Sequence, residues 1–254
     1  MARLLLPEVT ICAAASVNVT ATVRALKICL DRIDFADCLL FGAADHPVSD
    51  SRIRLIDGPL LKSGAEYSEF VLRGLGEHVM TSHALIIQWD GFVLDAARWD
   101  PRFLDYDYIG APWPQFLDGH NVGNGGFSLR SRRLMDACRD PHFVLGHPED
   151  IAICRTNRTF LELKGLKFAD RSLAERFSFE RGDPVGPTFG FHGIFNLIPV
   201  LGADGFWDLY RKLDDRKTAA VDFGLLFHQL ANGSNAIRRR LKLTIDYLAA
   251  ISRW

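Results

Sequence analysis

The sequence predicts a doubly wound α/β fold: a mainly parallel central sheet flanked by helices, followed by a helical C-terminal extension. Three observations predict it. Short apolar runs of strand length alternate with segments of helical periodicity through the first half of the chain. One of those runs, Ala84–Ile87, is apolar throughout, as expected of a central strand covered on both faces. From Gly202 to Trp254 the patterning is predominantly helical.

Each element has its own signal. Val9–Ala15 reads as a buried parallel strand, and Thr20–Ile33 as a helix with Val23, Leu26, Ile28, Leu30 and Ile33 in helical register. Cys38–Phe41 is a second strand ended by Gly42. Arg52–Ile56 is a third, ended by the turn signal Asp57-Gly58-Pro59. Ala65–His78 reads as a helix presenting Tyr67, Phe70, Val71 and Leu75, and leads into Ala84–Ile87. Strand, helix, strand, strand, helix, strand begins a Rossmann-like sheet, which binds ligands at the carboxyl ends of its strands. Ala15-Ser16-Val17-Asn18 follows the first strand, so a dinucleotide fingerprint is excluded, as is a Walker loop. The second half holds the strand-like Tyr108–Ala111, a glycine loop at Gly123–Gly126, helices over Ser131–Arg139 and Glu149–Lys164, and a loop-rich stretch from Phe177 to Gly193. No composition shift marks a linker. We expect one catalytic domain over residues 1–200 with the helical extension 201–254 packed on it.

Composition narrows the function classes. With 48% hydrophobic and 24% charged residues the 254-residue chain is globular rather than disordered. Its 30 basic and 31 acidic residues give it no global attraction to nucleic acid. Five scattered cysteines, Cys12, Cys29, Cys38, Cys138 and Cys154, form neither a CxxC pair nor a zinc spacing, and read as small core residues in a reducing compartment. Pro7-Glu8 interrupts Leu4-Leu5-Leu6 too early for a signal peptide, and no run reaches the roughly 18 apolar residues of a spanning helix. The expectation is a cytoplasmic protein. Arg238-Arg239-Arg240 beside the apolar face of Leu241–Ile251 can either dock on anionic lipid, placing the protein peripherally at the inner face of the membrane, or belong to a helix packed on the domain.

Four segments could carry chemistry. Gln88-Trp89-Asp90-Gly91 ends the fourth strand, where a carboxylate can hold a divalent cation bridging two phosphates; the structural alternative is a turn-capping Asp. The literal Asp105-Tyr106-Asp107 precedes a strand instead, at the wrong edge for a ligand. Val122–Arg130 brings three glycines in four residues, which permits positive φ and close backbone approach, or makes a simple turn. His147-Pro148-Glu149-Asp150 puts carboxylates at a helix start, as a helix-end cluster or as a general base beside a sugar. Phe189-Gly190-Phe191-His192-Gly193 offers a histidine for a metal or a diphosphate, or a packed ring.

Their order resembles that of the GT-A glycosyltransferases, which share a DxD motif, a glycine loop, an xED motif and a C-terminal histidine. More closely, the chain resembles a bacterial group filed as a glycosyltransferase-like domain of unknown function. Gln88-Trp89-Asp90-Gly91, Asp107–Trp113, Gly123–Arg130, Pro148-Glu149-Asp150 and Phe191-His192-Gly193 carry the resemblance, over roughly residues 9 to 195. It implies a GT-A fold and transfer of a sugar from a nucleotide-diphosphate sugar to a hydroxyl of a glycan or lipid-linked acceptor, in bacterial surface-polysaccharide synthesis. Asp90 and His192 would hold Mn²⁺ or Mg²⁺, Gly125 and Gly126 would lie beside the donor, and Asp150, with Glu149 next to it, would be the base of an inverting reaction. Gln88 and Trp89 join the donor site, as does Tyr67, while Trp113 and Phe127 are candidate stacking surfaces for the acceptor. Gln88 departs from the pattern: an amide replaces the first carboxylate of DxD and weakens the case for a metal. It keeps alive a catalytically silent nucleotide-sugar or glycan-binding module. A nucleotidyltransferase would need more carboxylates and a basic phosphate loop.

Overall fold

β1 (Leu4–Ala14) starts earlier than its apolar run because the half-exposed residues before Val9 also pair with the next strand. Pro7 falls where the register slips, between Leu6↔Phe35 and Thr10↔Asp37, as expected of a residue without an N–H to give the ladder. This computed structural model describes residues 3–44, 46, 48–231, 233 and 235–252. After β1 come α1 (Val19–Leu30), β2 (Ile33–Gly42), β3 (Arg54–Asp57), α2 (Gly64–Arg73) and β4 (His83–Ile87). The predicted Ala65–His78 helix breaks at Gly74 and finishes as a 3₁₀ turn over Leu75–His78.

The strand-length pieces of the second half are β5 (Phe92–Val93), β6 (Tyr108–Ile109), β7 (Ala111–Pro112), β8 (Val122–Gly123) and β9 (Phe127–Ser131). The six-stranded sheet runs β3-β2-β1-β4-β9-β6. Its first four strands are parallel; β9 is antiparallel to β4 and to β6. β4 is buried at every position between β1 and β9, as its apolar run requires. The sheet is thus mainly parallel and flanked by helices, as predicted. Cys12, Phe41, Val71, Leu75 and Ile86 join it to α2 in one core cluster, and all five cysteines are buried and free.

α3 (Arg132–Ala137) follows β9 directly. The predicted Glu149–Lys164 helix is instead three pieces: α4 (Glu149–Ile151), a π-helical segment over Ala152–Thr156, and α5 (Arg158–Leu163). Asn157 closes the wide turn, its amide donating to the Ala152 and Val144 carbonyls at 2.9 and 2.8 Å. α6 (Arg171–Phe177), β10 (Ser178–Phe179) and β11 (Gly190–Phe191) complete the first part, and β10, β11 and β5 make a small sheet.

Backbone contacts divide the chain after His192. From Gly193 onward it is helical: α7 (Leu197–Tyr210), broken by Gly202 at φ 72°, then α8 (Lys217–Val221), α9 (Phe223–Gln229) and α10 (Ala236–Ile251). Inside this part Phe223 stacks on Tyr247 at 4.4 Å and the Tyr210 hydroxyl donates to Asp246 at 2.9 Å. The last two residues of the predicted extension lie outside the described residues. Among the described residues no helix is long and apolar enough to cross a membrane.

Candidate active site

The site is built where β4 runs out. The Gln88 N–H donates to the Gly126 carbonyl at 2.9 Å and the Gly91 N–H to the Gln88 carbonyl at 3.1 Å, so the turn that carries Asp90 is tied to the glycine loop. Asp90 is 2% exposed, and its Oδ1 has no hydrogen bond. The His192 Nε2 lies 3.3 Å from that oxygen and 3.3 Å from the Gln88 Oε1. On its other side, the His192 Nδ1 is 3.2 Å from Glu180. Burial pushes the imidazole pKa down, but the flanking carboxylates of Asp90 and Glu180 outweigh it and raise it to about 10.

The glycine loop explains its own composition. A Cβ on Gly126 would stand 2.0 Å from the His192 Nε2, and one on Gly125 would stand 1.9 Å from a Glu149 carboxylate oxygen. These two are therefore glycines for close approach. The positive φ that glycines were expected to supply belongs to Asn124, at 71°, whose Oδ1 accepts the Gly126 N–H at 3.0 Å. The Gly125 N–H donates to Asp150 Oδ2 at 3.0 Å, and Asp150 Oδ1 accepts the Ile151 N–H at 2.8 Å. Burial first, and the Glu149 charge second, push the Asp150 carboxyl up to about 6 despite those bonds. Asp90, Gly125, Gly126, Asp150 and His192, from four distant segments, thus form one chain of contacts.

Glu149 has a different position from its neighbour. It is 4% exposed, and Arg130, itself 2% exposed, donates to it at 3.1 Å. Ser68 donates to its second oxygen at 3.4 Å and stands 2.8 Å from the His147 Nδ1. The Arg130 guanidinium also lies over the Tyr108 ring, 5.5 Å from its centroid, and bonds Ser128 at 3.0 Å. A carboxylate so enclosed in ion pair and hydrogen bonds is a support beneath Gly125, not a proton acceptor open to substrate.

Tyr67 is brought beside this cluster. Its hydroxyl is buried without a hydrogen bond of normal geometry, and burial, with Glu149 nearby, raises its pKa. Trp89 is half-buried. Trp113 and Phe127 are not on the surface. Trp113 packs edge-on against Phe116 at 5.4 Å and its ring fills the space above Gly123; Phe127 packs against Phe177 and Phe189. Both are core rings, so an acceptor does not stack on either; the aromatic side chains there fill space between elements.

Sequence reasoning assigned no role to Arg130, Ser68, His147 or Glu180. Arg130 ends the glycine segment in β9, which is buried at every position, and a charge inside such a strand requires a buried partner. Glu180 lies in the loop-rich stretch and carried no signal.

A cation can be tested against the donor set. Gln88 Oε1 and Asp90 Oδ1 each lie 3.3 Å from the His192 Nε2, the Asp90 oxygen has no hydrogen bond, and Glu180 lies against the other ring nitrogen, as a carboxylate does behind a metal-ligating histidine. Among the described residues no three His, Cys, Asp or Glu side chains cluster to enclose an ion. An Asp, a His and an amide would hold a divalent cation only with oxygens added from a phosphorylated ligand and with the imidazole deprotonated, as an open site rather than a closed structural one.

Residues 50–192 match the model of a family described as protein of unknown function (DUF5672), and the chain belongs to that family. No curated protein matches the chain. Among solved structures it is similar to the apo form of the glycosyltransferase GlyE of Streptococcus pneumoniae TIGR4, at 13% identity and a TM-score of 0.43. That match covers 73% of this chain and 54% of GlyE, so the chain spans about half of that protein's length. It is also similar to a glycosyltransferase involved in the glycosylation of the major capsid of PBCV-1, at 12% identity and a TM-score of 0.46, covering 80% of this chain and 98% of the other.

Proposed function

We propose that this protein is a glycosyltransferase that moves a sugar from a nucleotide-diphosphate sugar to a hydroxyl of a glycan or lipid-linked acceptor, with inversion, in bacterial surface-polysaccharide synthesis. The observation that carries the reading is the meeting of a strand-end carboxylate, a histidine, a glycine loop and a second carboxylate whose pKa is raised toward neutrality. Acid–base catalysis is most effective when the group titrates near the working pH, and Asp150 does.

The chemistry then runs as a single displacement. The acceptor oxygen attacks the anomeric carbon while the bond from that carbon to the diphosphate breaks, and Asp150 takes the acceptor proton. The backbone of Gly125 and Gly126 lets the sugar approach closely, and Gln88, Trp89 and Tyr67 border the donor. Asp90, His192 and the Gln88 amide would hold Mn²⁺ or Mg²⁺, which neutralises the departing diphosphate when bound. Glu149 and Arg130 keep the Gly125–Asp150 bond in place.

The test is a thermal-shift panel of nucleotide-sugars with and without Mn²⁺, followed by release of nucleoside diphosphate from any donor that stabilises the protein. Asp150→Asn should keep the shift and lose the release. The amide at Gln88 favours one competing reading, a silent nucleotide-sugar-binding module. Binding of a donor with no turnover in the presence of any acceptor establishes that reading instead.

A further inference from the structure

α10 turns an aliphatic stripe to solvent. Ile237, Leu241, Ile245, Leu248 and Ile251 are 85%, 61%, 53%, 54% and 47% exposed. At 100° per residue they fall within an arc of about 120°, along a helix about 24 Å long. The opposite face packs on α8 and α9, with Leu243 buried, Tyr247 stacked on Phe223 and Arg239 paired with Asp204. The stripe is thus not the packed face of the helix; it is a second apolar face, left exposed among the described residues. Five large aliphatic side chains in one line form the kind of contiguous patch that marks an interaction surface rather than scattered surface hydrophobics.

What borders the stripe selects the partner. Arg238 and Lys242 follow it on one side of the helical wheel and Arg240, whose guanidinium sits 3.7 Å over the Phe227 ring, on the other. The basic triplet of the sequence is therefore divided: Arg239 turns inward, and the other two flank the apolar line. Residues 193–254 carry nine Lys/Arg against six Asp/Glu, whereas the rest of the chain carries 21 against 25. Positive charge is concentrated on the part that bears the stripe.

We propose that this face of α10 docks on an anionic lipid surface, the aliphatic line entering the headgroup boundary while the exposed Arg238 at its border meets the phosphates. Helices that lie in a bilayer interface likewise present an aliphatic face with basic residues at its borders. A second copy of the chain fits less well. The one acidic residue on α10, Asp246, is engaged by Tyr210 and Lys242, so two such helices face to face would oppose their basic borders with no carboxylate to pair them.

The full chain is mixed with vesicles of phosphatidylcholine containing phosphatidylglycerol, and with phosphatidylcholine vesicles alone, and sedimented. Association with the anionic vesicles is expected to be at least about tenfold stronger than with neutral ones and to weaken in high salt. The double substitution Leu241→Glu with Ile245→Glu should abolish it, and Arg238→Glu should reduce it several-fold. Both variants change exposed side chains and should melt with the wild-type protein, which a thermal scan checks. Failure to bind anionic vesicles, or binding that survives the double substitution, overturns the proposal. So does a wild-type dimer in sedimentation velocity that the double substitution turns into a monomer, since that result assigns the stripe to a second copy.

Discussion

Two buried aspartates stand at opposite ends of the same pair of strands, and they are treated in opposite ways. Asp107 lies beside Ser131, which pairs with His83 at the start of β4. Its Oδ1 accepts the Ser131 hydroxyl at 2.5 Å, its Oδ2 accepts the Lys167 N–H at 2.8 Å, and Arg133 is 3.7 Å away. Asp90 follows the other end of β4, where Oδ1 has no hydrogen bond and faces His192. Burial is costly for both, since a carboxylate taken out of water must recover its hydrogen bonds or neutralise its charge. Asp107 recovers them inside the fold and fastens β6 to α3. Asp90 recovers less, since Oδ1 has the His192 imidazole 3.3 Å away but no hydrogen bond, and such departures from local consistency concentrate where a ligand completes the set.

The comparison is broken most sharply by activity. Asp90→Asn and Asp150→Asn should each lower release of nucleoside diphosphate from the donor by about 10²–10⁴-fold, the usual range for loss of a charge or base that acts in the transition state. Asp107→Asn should leave release per folded molecule near wild type. Measuring turnover against the folded fraction of each variant separates the two edges, and an inactive but fully folded Asp107→Asn would erase the distinction.

Arg130 sharpens the contrast from a third direction, because it supports the site without facing substrate. Arg130→Met leaves Glu149 charged and buried, which costs about 3–5 kcal/mol when one partner of an interior pair is removed. Adding Glu149→Met to it removes the stranded charge and should return most of that stability in a denaturant titration. Turnover should remain low in the double variant, because nothing then fixes the loop against Asp150. Stability and activity recovering together would reduce the pair to packing.

Much of this organisation is legible in the sequence, and the exceptions have physical causes. The alternation of apolar runs is visible because Ala84–Ile87 of β4, with no exposed position, is apolar throughout, and the edge argument separates Asp90 from Asp107 because strand direction fixes which end meets ligands. The glycine loop is visible as a cluster but not in its reason: Gly125 and Gly126 answer to Glu149 and His192, residues that no local pattern links to them. Glu149 and Asp150 are adjacent in sequence and opposite in environment, a difference set by Arg130 and Ser68 from other elements. Trp113 and Phe127 carry no mark that tells a core ring from a stacking surface. The break at Asn157 is hidden because the apolar spacing runs on through the π segment.

Stability tests the scaffold half of the comparison. Asp107→Ala removes the acceptor for the Ser131 hydroxyl and the Lys167 N–H together, and hydrogen bonds to a charged group are worth about 1.5–3 kcal/mol each, so a loss on the order of 3 kcal/mol is expected. Asp90→Asn removes a carboxylate that has one unsatisfied oxygen and should cost less than that in the same titration.

The smallest effect is the most specific to the site. Asp150 is held at about pH 6 when folded, above the usual carboxylate value near 3.9, by burial and by Glu149. Arg130 opposes the shift, and Tyr67, Tyr108 and Cys154 are the remaining titratable groups within its field. A group whose pKa is raised on folding favours the folded state only while protonated; that advantage is complete below about pH 4 and is lost as pH rises through 6. Above that, ionised Asp150 weakens the fold by on the order of 1–2 kcal/mol, after allowance for its partial exposure. Asp150→Asn cannot ionise. Its melting temperature should therefore exceed that of the wild-type protein at pH 8 and converge with it at pH 4, while the wild-type rate rises with pH through the same value near 6. An equal difference in melting temperature at both pH values would mean that Asp150 is not perturbed, and its role as the base would lose its physical footing.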